Sequence, residues 1–135
     1  MIYGIGVDIE DVSRIKAVIK GRESFIGRFF SNAEQELFAA KGYNPETVCG
    51  NFCSKEAFVK ALGTGFRGIA LKDIEVLRDE LGSPYYRISG ALAEKLSGMG
   101  LKYHLSLSHT AHTAVAFAII ERDEALSLAD NSDNA

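Results

Sequence analysis

The sequence predicts an α+β fold: one domain in which a mainly antiparallel sheet is packed by helices. Strand-like and helix-like stretches mix without a regular βαβ alternation, which argues against a parallel sheet. No internal repeat divides the chain. At 135 residues and 47% hydrophobic, it suits one core and needs no second domain. The domain is expected over residues 1–128. The small, polar, acidic residues 129–135 have the composition of a disordered tail.

Each element has its own local reason. Residues 2–9 read as a strand, because Tyr3, Ile5, Val7 and Ile9 alternate onto one face. The opposite face carries Ile2, Gly4, Gly6 and Asp8, and two glycines beside a carboxylate suggest open space through which a ligand could reach Asp8. Residues 12–20 follow helical spacing through Val12, Ile15, Val18 and Ile19, leaving Arg14, Lys16 and Lys20 outside the apolar stripe. Ser31 with Glu34 three residues on is a capping-box pattern, so a helix should follow to about residue 41. Pro45 suits the first turn of a further helix over residues 45–62, which Gly63-Thr64-Gly65 can end. Residues 73–78 and 85–88 look like strands around a turn at 81–84, residues 91–96 like a short helix, and 103–108 with 113–121 like a closing hairpin.

Charge is spread unevenly. Residues 11–30 hold Arg14, Lys16, Lys20, Arg22 and Arg28 against Asp11 and Glu23, whereas residues 121–135 hold one arginine against five acids. The net charge of −3 therefore sits largely in the tail, and it argues against a general nucleic-acid binder. No apolar run is long enough to span a membrane and no secretion-signal pattern opens the chain, so the expected location is the cytoplasm. Cys49 and Cys53 share one helix face without a second ligand pair, and read as reduced core residues rather than a zinc site.

The stretch from Phe52 to Gly63 carries the most chemistry. On a helix, Phe52, Glu56 and Lys60 stack on one face, which sets a carboxylate and an ammonium within reach of one substrate. The same spacing is also that of an ordinary surface ion pair. Asp8 supplies a second carboxylate, and two carboxylates with a diphosphate can complete a magnesium site. Asp8 could equally cap the helix that starts near Val12. Ser108 and His109 are adjacent in a strand and so point to opposite faces, which excludes a serine nucleophile with its base. The alternative is a turn in which Ser108, His109 and Thr110 offer donors to a phosphate. The alternation also separates His104 from His109 and breaks up a histidine metal cluster. Gly4 and Gly6 lie inside the strand, unlike a dinucleotide fingerprint.

Taken together, three segments resemble the holo-acyl-carrier-protein synthase family of phosphopantetheinyl transferases. They are Gly6-Val7-Asp8 with Arg14, Lys55-Glu56-Ala57 with Lys60 and Gly63-Thr64-Gly65, and Ser106-Leu107-Ser108-His109, in order over roughly residues 1–122. The resemblance implies a homotrimer with sites at subunit interfaces. It also implies a magnesium ion held by Asp8 and Glu56 against the diphosphate of coenzyme A. The reaction would move 4′-phosphopantetheine onto a serine of an apo acyl carrier protein and release adenosine 3′,5′-bisphosphate. Asp8, Glu56 and Lys60 are then the catalytic candidates: Lys60 and magnesium stabilise charge, and Glu56, directly or through water, is the base. Lys60, Gly63, Ser108, His109 and Thr110 are the candidates for coenzyme A. Arg14, Arg22 and Arg28, with Val18 and Phe25 as apolar contacts, would steer the acidic carrier. In one departure, Asn51 stands where many relatives carry an arginine; if that arginine holds the 3′-phosphate, either coenzyme A affinity is lower here or Ser108, His109 and Lys60 bear the contact. A noncatalytic module that binds the carrier or coenzyme A is the competing reading.

Overall fold

The computed structural model describes residues 1–21 and 24–123. In chain order these form β1 (Ile2–Asp11), α1 (Val12–Gly21), α2 (Ser24–Phe29), α3 (Asn32–Ala40), α4 (Pro45–Leu62), a 3₁₀ turn (Leu71–Asp73), β2 (Ile74–Arg78), β3 (Pro84–Ile88), α5 (Gly90–Leu96), β4 (Leu101–His109) and β5 (Thr113–Arg122). All strand pairs are antiparallel: β1-β5-β4 make one sheet and β2-β3 a separate hairpin. The fold is the expected α+β with antiparallel sheets. The expected tail lies outside the described residues, among which no helix is long and apolar enough to cross a membrane.

Helix α4 is the hub, and local chemistry sets both its ends. The Asn44 side chain accepts from the Glu46 N–H, Pro45 occupies the first turn, and Gly63 at φ 84° ends the helix while its N–H donates to the Val59 and Lys60 carbonyls. Val48, Cys49, Cys53, Ala57 and Phe58 along its length are fully buried, so the helix is enclosed by its neighbours. The Ser31–Glu34 capping box forms as read, and it opens α3.

Several expectations change. β1 runs two residues beyond the expected strand, and Asp11 rather than Asp8 caps the following helix: Asp11 Oδ1 accepts from the Ser13 N–H and hydroxyl. Asp8 is thereby free of that role. α2 was not foreseen, because six residues are too few to show a period. The glycine face of β1 is not open space. A Cβ on Gly4 would stand 1.8 Å from the Ala61 carbonyl oxygen, and one on Gly6 1.9 Å from that of Ala57. The strand backbone thus lies directly on α4, and the glycines serve that contact instead of a ligand path.

The other face of the same sheet is bare. Ile5, Val7 and Ile9 of β1 and Val115 and Phe117 of β5 share it, with Val7 opposite Phe117 and Ile9 opposite Val115. Val7 is 53% and Ile9 67% exposed. Ser106 and Ser108 of β4 continue this face beside Phe117 and Val115.

Candidate functional site

The contact of β1 with α4 decides where the acids meet. Residues 8 and 56 are remote in sequence, yet Asp8 lies near enough that its charge, after burial, raises the Glu56 pKa. Lys60 Nζ donates to Asp8 Oδ1 at 2.9 Å and to the Val7 carbonyl at 3.0 Å. Lys60 and Glu56 therefore do not form the simple i,i+4 surface pair that spacing allowed, since the ammonium crosses to the strand. Asp8 is 11% exposed at its side chain, against 55% for Lys60. The site is a carboxylate wall with a half-exposed cation at its mouth.

Asp8 Oδ2 is buried and has no hydrogen-bond partner. Glu10, two residues on and on the same face of β1, is pushed up to about 7, first by burial, then by the closeness of the Asp8 carboxylate, with the Glu56 charge adding to it. Carboxylates this close need a proton or a cation between them. Two acids whose pKa values are raised beside Asp8, with one orphaned Asp8 oxygen, fit a divalent ion such as magnesium, which takes a partial protein shell and keeps water. Among the described residues no group of three or more His, Cys, Asp or Glu is placed to hold a metal ion by itself. Glu10 was missed from sequence, although its i+2 spacing from Asp8 placed both on one face.

Behind this wall the core is polar and fully paired. Lys55, wholly buried, donates to Glu34 Oε1 and to the Leu71 and Ile74 carbonyls. Asn51, also wholly buried, donates to Glu34 Oε2 at 3.0 Å and the Val76 carbonyl at 2.9 Å. Desolvation raises the Glu34 pKa and lowers that of Lys55, while their mutual attraction opposes both shifts. The pair anchors α4 to α3 and to the start of β2, one residue before Glu56. Cys49 and Cys53 are buried and unpaired with each other, their thiols pushed up to about 11 and 12, chiefly by burial. They are the reduced core residues that were expected.

The residues expected to hold coenzyme A divide into two groups. Lys60 and Gly63 stand at the C-terminal end of α4, from which the Lys60 ammonium reaches back to Asp8. His109 Nδ1 lies 3.5 Å from Glu46 Oε2 at the opposite end of α4, about 21 Å away along the helix by its rise per residue. Ser108 and His109 are strand residues rather than a turn, with Ser108 on the bare sheet face. Only Thr110 lies in the hairpin turn, where its hydroxyl oxygen accepts from the His112 and Thr113 N–H groups. His104 approaches Glu121 instead of the other histidines. Around His109 a cleft of about 210 Å³ is lined by Lys41, Glu46, Thr47, Arg78 and Pro84.

On the proposed carrier face, Arg14 and Arg28 are exposed and Val18 is half-buried. Arg28 sits 5.3 Å over the Phe29 ring. Phe25 is committed to an aromatic cluster with Phe29, Phe30 and Phe52, so it offers an edge and not a free side chain. Arg22 lies outside the described residues.

Known proteins bear on this geometry. The family model of the 4′-phosphopantetheinyl transferase superfamily matches residues 4–120. A holo-[acyl-carrier-protein] synthase of Clostridium botulinum (strain Eklund 17B / Type B) is 50% identical over 121 residues, 90% of this chain and 98% of that protein. The crystal structure of the Neisseria meningitidis synthase is similar at TM-score 0.81 and 36% identity, covering 90% of this chain and 100% of that one. That of the Bacillus anthracis synthase, in complex with CoA (3′,5′-ADP), is similar at TM-score 0.74 and 34% identity, covering 91% and 99%.

Proposed function

The chain belongs to the 4′-phosphopantetheinyl transferase superfamily, among the holo-[acyl-carrier-protein] synthases, and from that premise we propose that it transfers 4′-phosphopantetheine from coenzyme A to a serine of an apo acyl carrier protein. Adenosine 3′,5′-bisphosphate is the other product. The observation that carries this reading is the meeting of Asp8, Glu56 and Lys60, drawn from two remote segments onto one wall.

Asp8 and Glu56 would hold magnesium, which supplies charge neutralisation to the diphosphate when bound. The chain's own groups do the rest. Lys60, half-exposed and tethered to Asp8, can swing its ammonium onto a phosphate oxygen and stabilise the charge that develops as the bond to the leaving nucleotide breaks. Glu56, directly or through a water, takes the serine proton as the hydroxyl oxygen attacks the β-phosphorus. Gly63, without a side chain at the helix end, leaves room for the substrate beside Lys60.

The bare apolar sheet face supports the homotrimer that the resemblance implies, because Ile5, Val7, Ile9, Val115 and Phe117 are then covered by neighbouring copies. A trimer also accounts for the divided coenzyme residues: the His109 cleft of one protomer would serve the Asp8–Glu56 wall of the next. Arg14 and Arg28 on the exposed rim suit an acidic carrier and would act mainly on its association rate.

Incubation with an apo acyl carrier protein, coenzyme A and magnesium, followed by mass spectrometry of the carrier, tests the function. A carrier that gains the phosphopantetheine mass is the expected result. A carrier left unmodified across a range of magnesium concentrations overturns it.

A further inference from the structure

Arg78 closes β2 with its guanidinium half-buried, and among the described residues it forms no ion pair with a carboxylate. Its Nη2 donates to Asn51 Oδ1 at 2.9 Å and its Nη1 to the Leu77 carbonyl at 3.3 Å. Glu34, the anion whose field reaches it, is already engaged by Lys55 and Asn51. Burial pushes the Arg78 pKa down, as expected for a cation short of counter-charge.

Asn51 explains why the guanidinium stays there. Both hydrogens of its amide nitrogen are spent, on Glu34 and on the Val76 carbonyl, so its oxygen has one direction left, towards Arg78. Of the five N–H donors of an arginine, two are used, and the guanidinium lines the cleft that also holds Lys41, Thr47 and His109. Lys41 and Arg78 are two cations there against the single carboxylate of Glu46. A guanidinium with unspent parallel donors matches the oxygens of a phosphate.

We infer that Arg78 recognises the 3′-phosphate of coenzyme A, with Asn51 as the positioning residue that holds the guanidinium for it. The assignment rests on the transferase reading above. There the diphosphate lies against Asp8, Glu56 and Lys60, which leaves the 3′-phosphomonoester as the anion of the coenzyme still without a partner. The cation is supplied from the end of β2, and the residue at position 51 of α4 orients it from behind.

Calorimetric titration with adenosine 3′,5′-bisphosphate and with adenosine 5′-monophosphate tests this without requiring turnover. The wild-type protein should prefer the bisphosphate by about tenfold or more. Arg78→Ala should bring that preference close to unity, and Arg78→Lys should leave part of it. Asn51→Leu should lower it while raising KM for coenzyme A more than it lowers kcat. Circular dichroism of each variant reports whether Asn51→Leu folds, and Arg78→Ala carries the test if it does not. A wild-type protein without the preference, or an Arg78→Ala variant that keeps it, overturns the assignment. A wild-type protein that shows the preference but loads no carrier instead sinks the transferase reading and leaves Arg78 in place.

Discussion

Replacing Gly6 by alanine should separate the two halves of the site. The added Cβ would stand 1.9 Å from the Ala57 carbonyl oxygen and 2.7 Å from the Ala61 nitrogen, both backbone atoms of α4. A carbon meets a carbonyl oxygen comfortably at about 3.3 Å. The strand and helix must therefore part by roughly 1.4 Å, since neither neighbour is a side chain that can rotate away. Overpacking of this kind costs about 1–3 kcal/mol, which for a chain of this size lowers Tm by roughly 4–12 °C. Asp8 is two residues from Gly6, and Glu56 adjoins Ala57, so the same wedge opens the wall by about 1 Å. A displacement of that size can cost about a hundredfold in rate. Thermal melts at fixed protein concentration, with carrier loading followed by mass, measure both effects. Gly27→Ala is the control for stability, because a Cβ there meets nothing within 4 Å. A Gly6→Ala protein with a Tm within about 1 °C of wild type and an undiminished rate would refute the claim that backbone contact positions the acids.

Other consequences follow from the same geometry. Asp8→Asn and Glu56→Gln should lower transfer by more than about a hundredfold, beyond the loss of an outer partner, while circular dichroism stays unchanged. Calorimetry should show weaker magnesium binding, and wild-type rates in either variant would remove the metal assignment. Lys55→Met leaves Glu34 as an uncompensated buried charge and should cost about 3–5 kcal/mol in urea unfolding, with Glu34→Leu in the same chain restoring much of it. A loss no larger in the single variant than in the double one would contradict the paired core. Glu10 carries a pH signature. Its folded pKa of about 7 lies above the ordinary 4.5, so folding favours its protonated form. That contribution is complete below about pH 4.5 and disappears as the pH rises through 7. In chelator the wild-type Tm should therefore fall relative to Glu10→Gln across this window, and parallel curves for the two proteins would exclude the raised pKa.

Features that depend on a few neighbouring residues were legible in the sequence. Pro45 and Gly63 bound α4 at 45–62 as read, because a fixed proline φ and glycine's left-handed freedom act within one turn. The capping box at Ser31 and the closing hairpin have the same local origin. Short α2 escaped because six residues hold too little periodicity. The identity of Asp8, Glu56 and Lys60 as candidates was also legible, from three ordered motifs rather than from any one spacing.

Relations between distant segments were not. Lys60 has Glu56 at helical spacing, yet its ammonium turns to Asp8, 52 residues away, because β1 crosses α4 at backbone contact. Gly4 and Gly6 looked like space for a ligand and are instead where the helix sits. Asn51 appeared as a missing arginine and is a buried bracket for Arg78, 27 residues on. By itself the sequence determined where helices and strands begin and end and which side chains could do chemistry, since those depend on intrinsic dihedral preferences and nearest hydrogen-bond partners. Only the tertiary structure decided which of those side chains face one another. Burial forces each polar group to find a partner across the core, and which one it finds depends on how the elements pack.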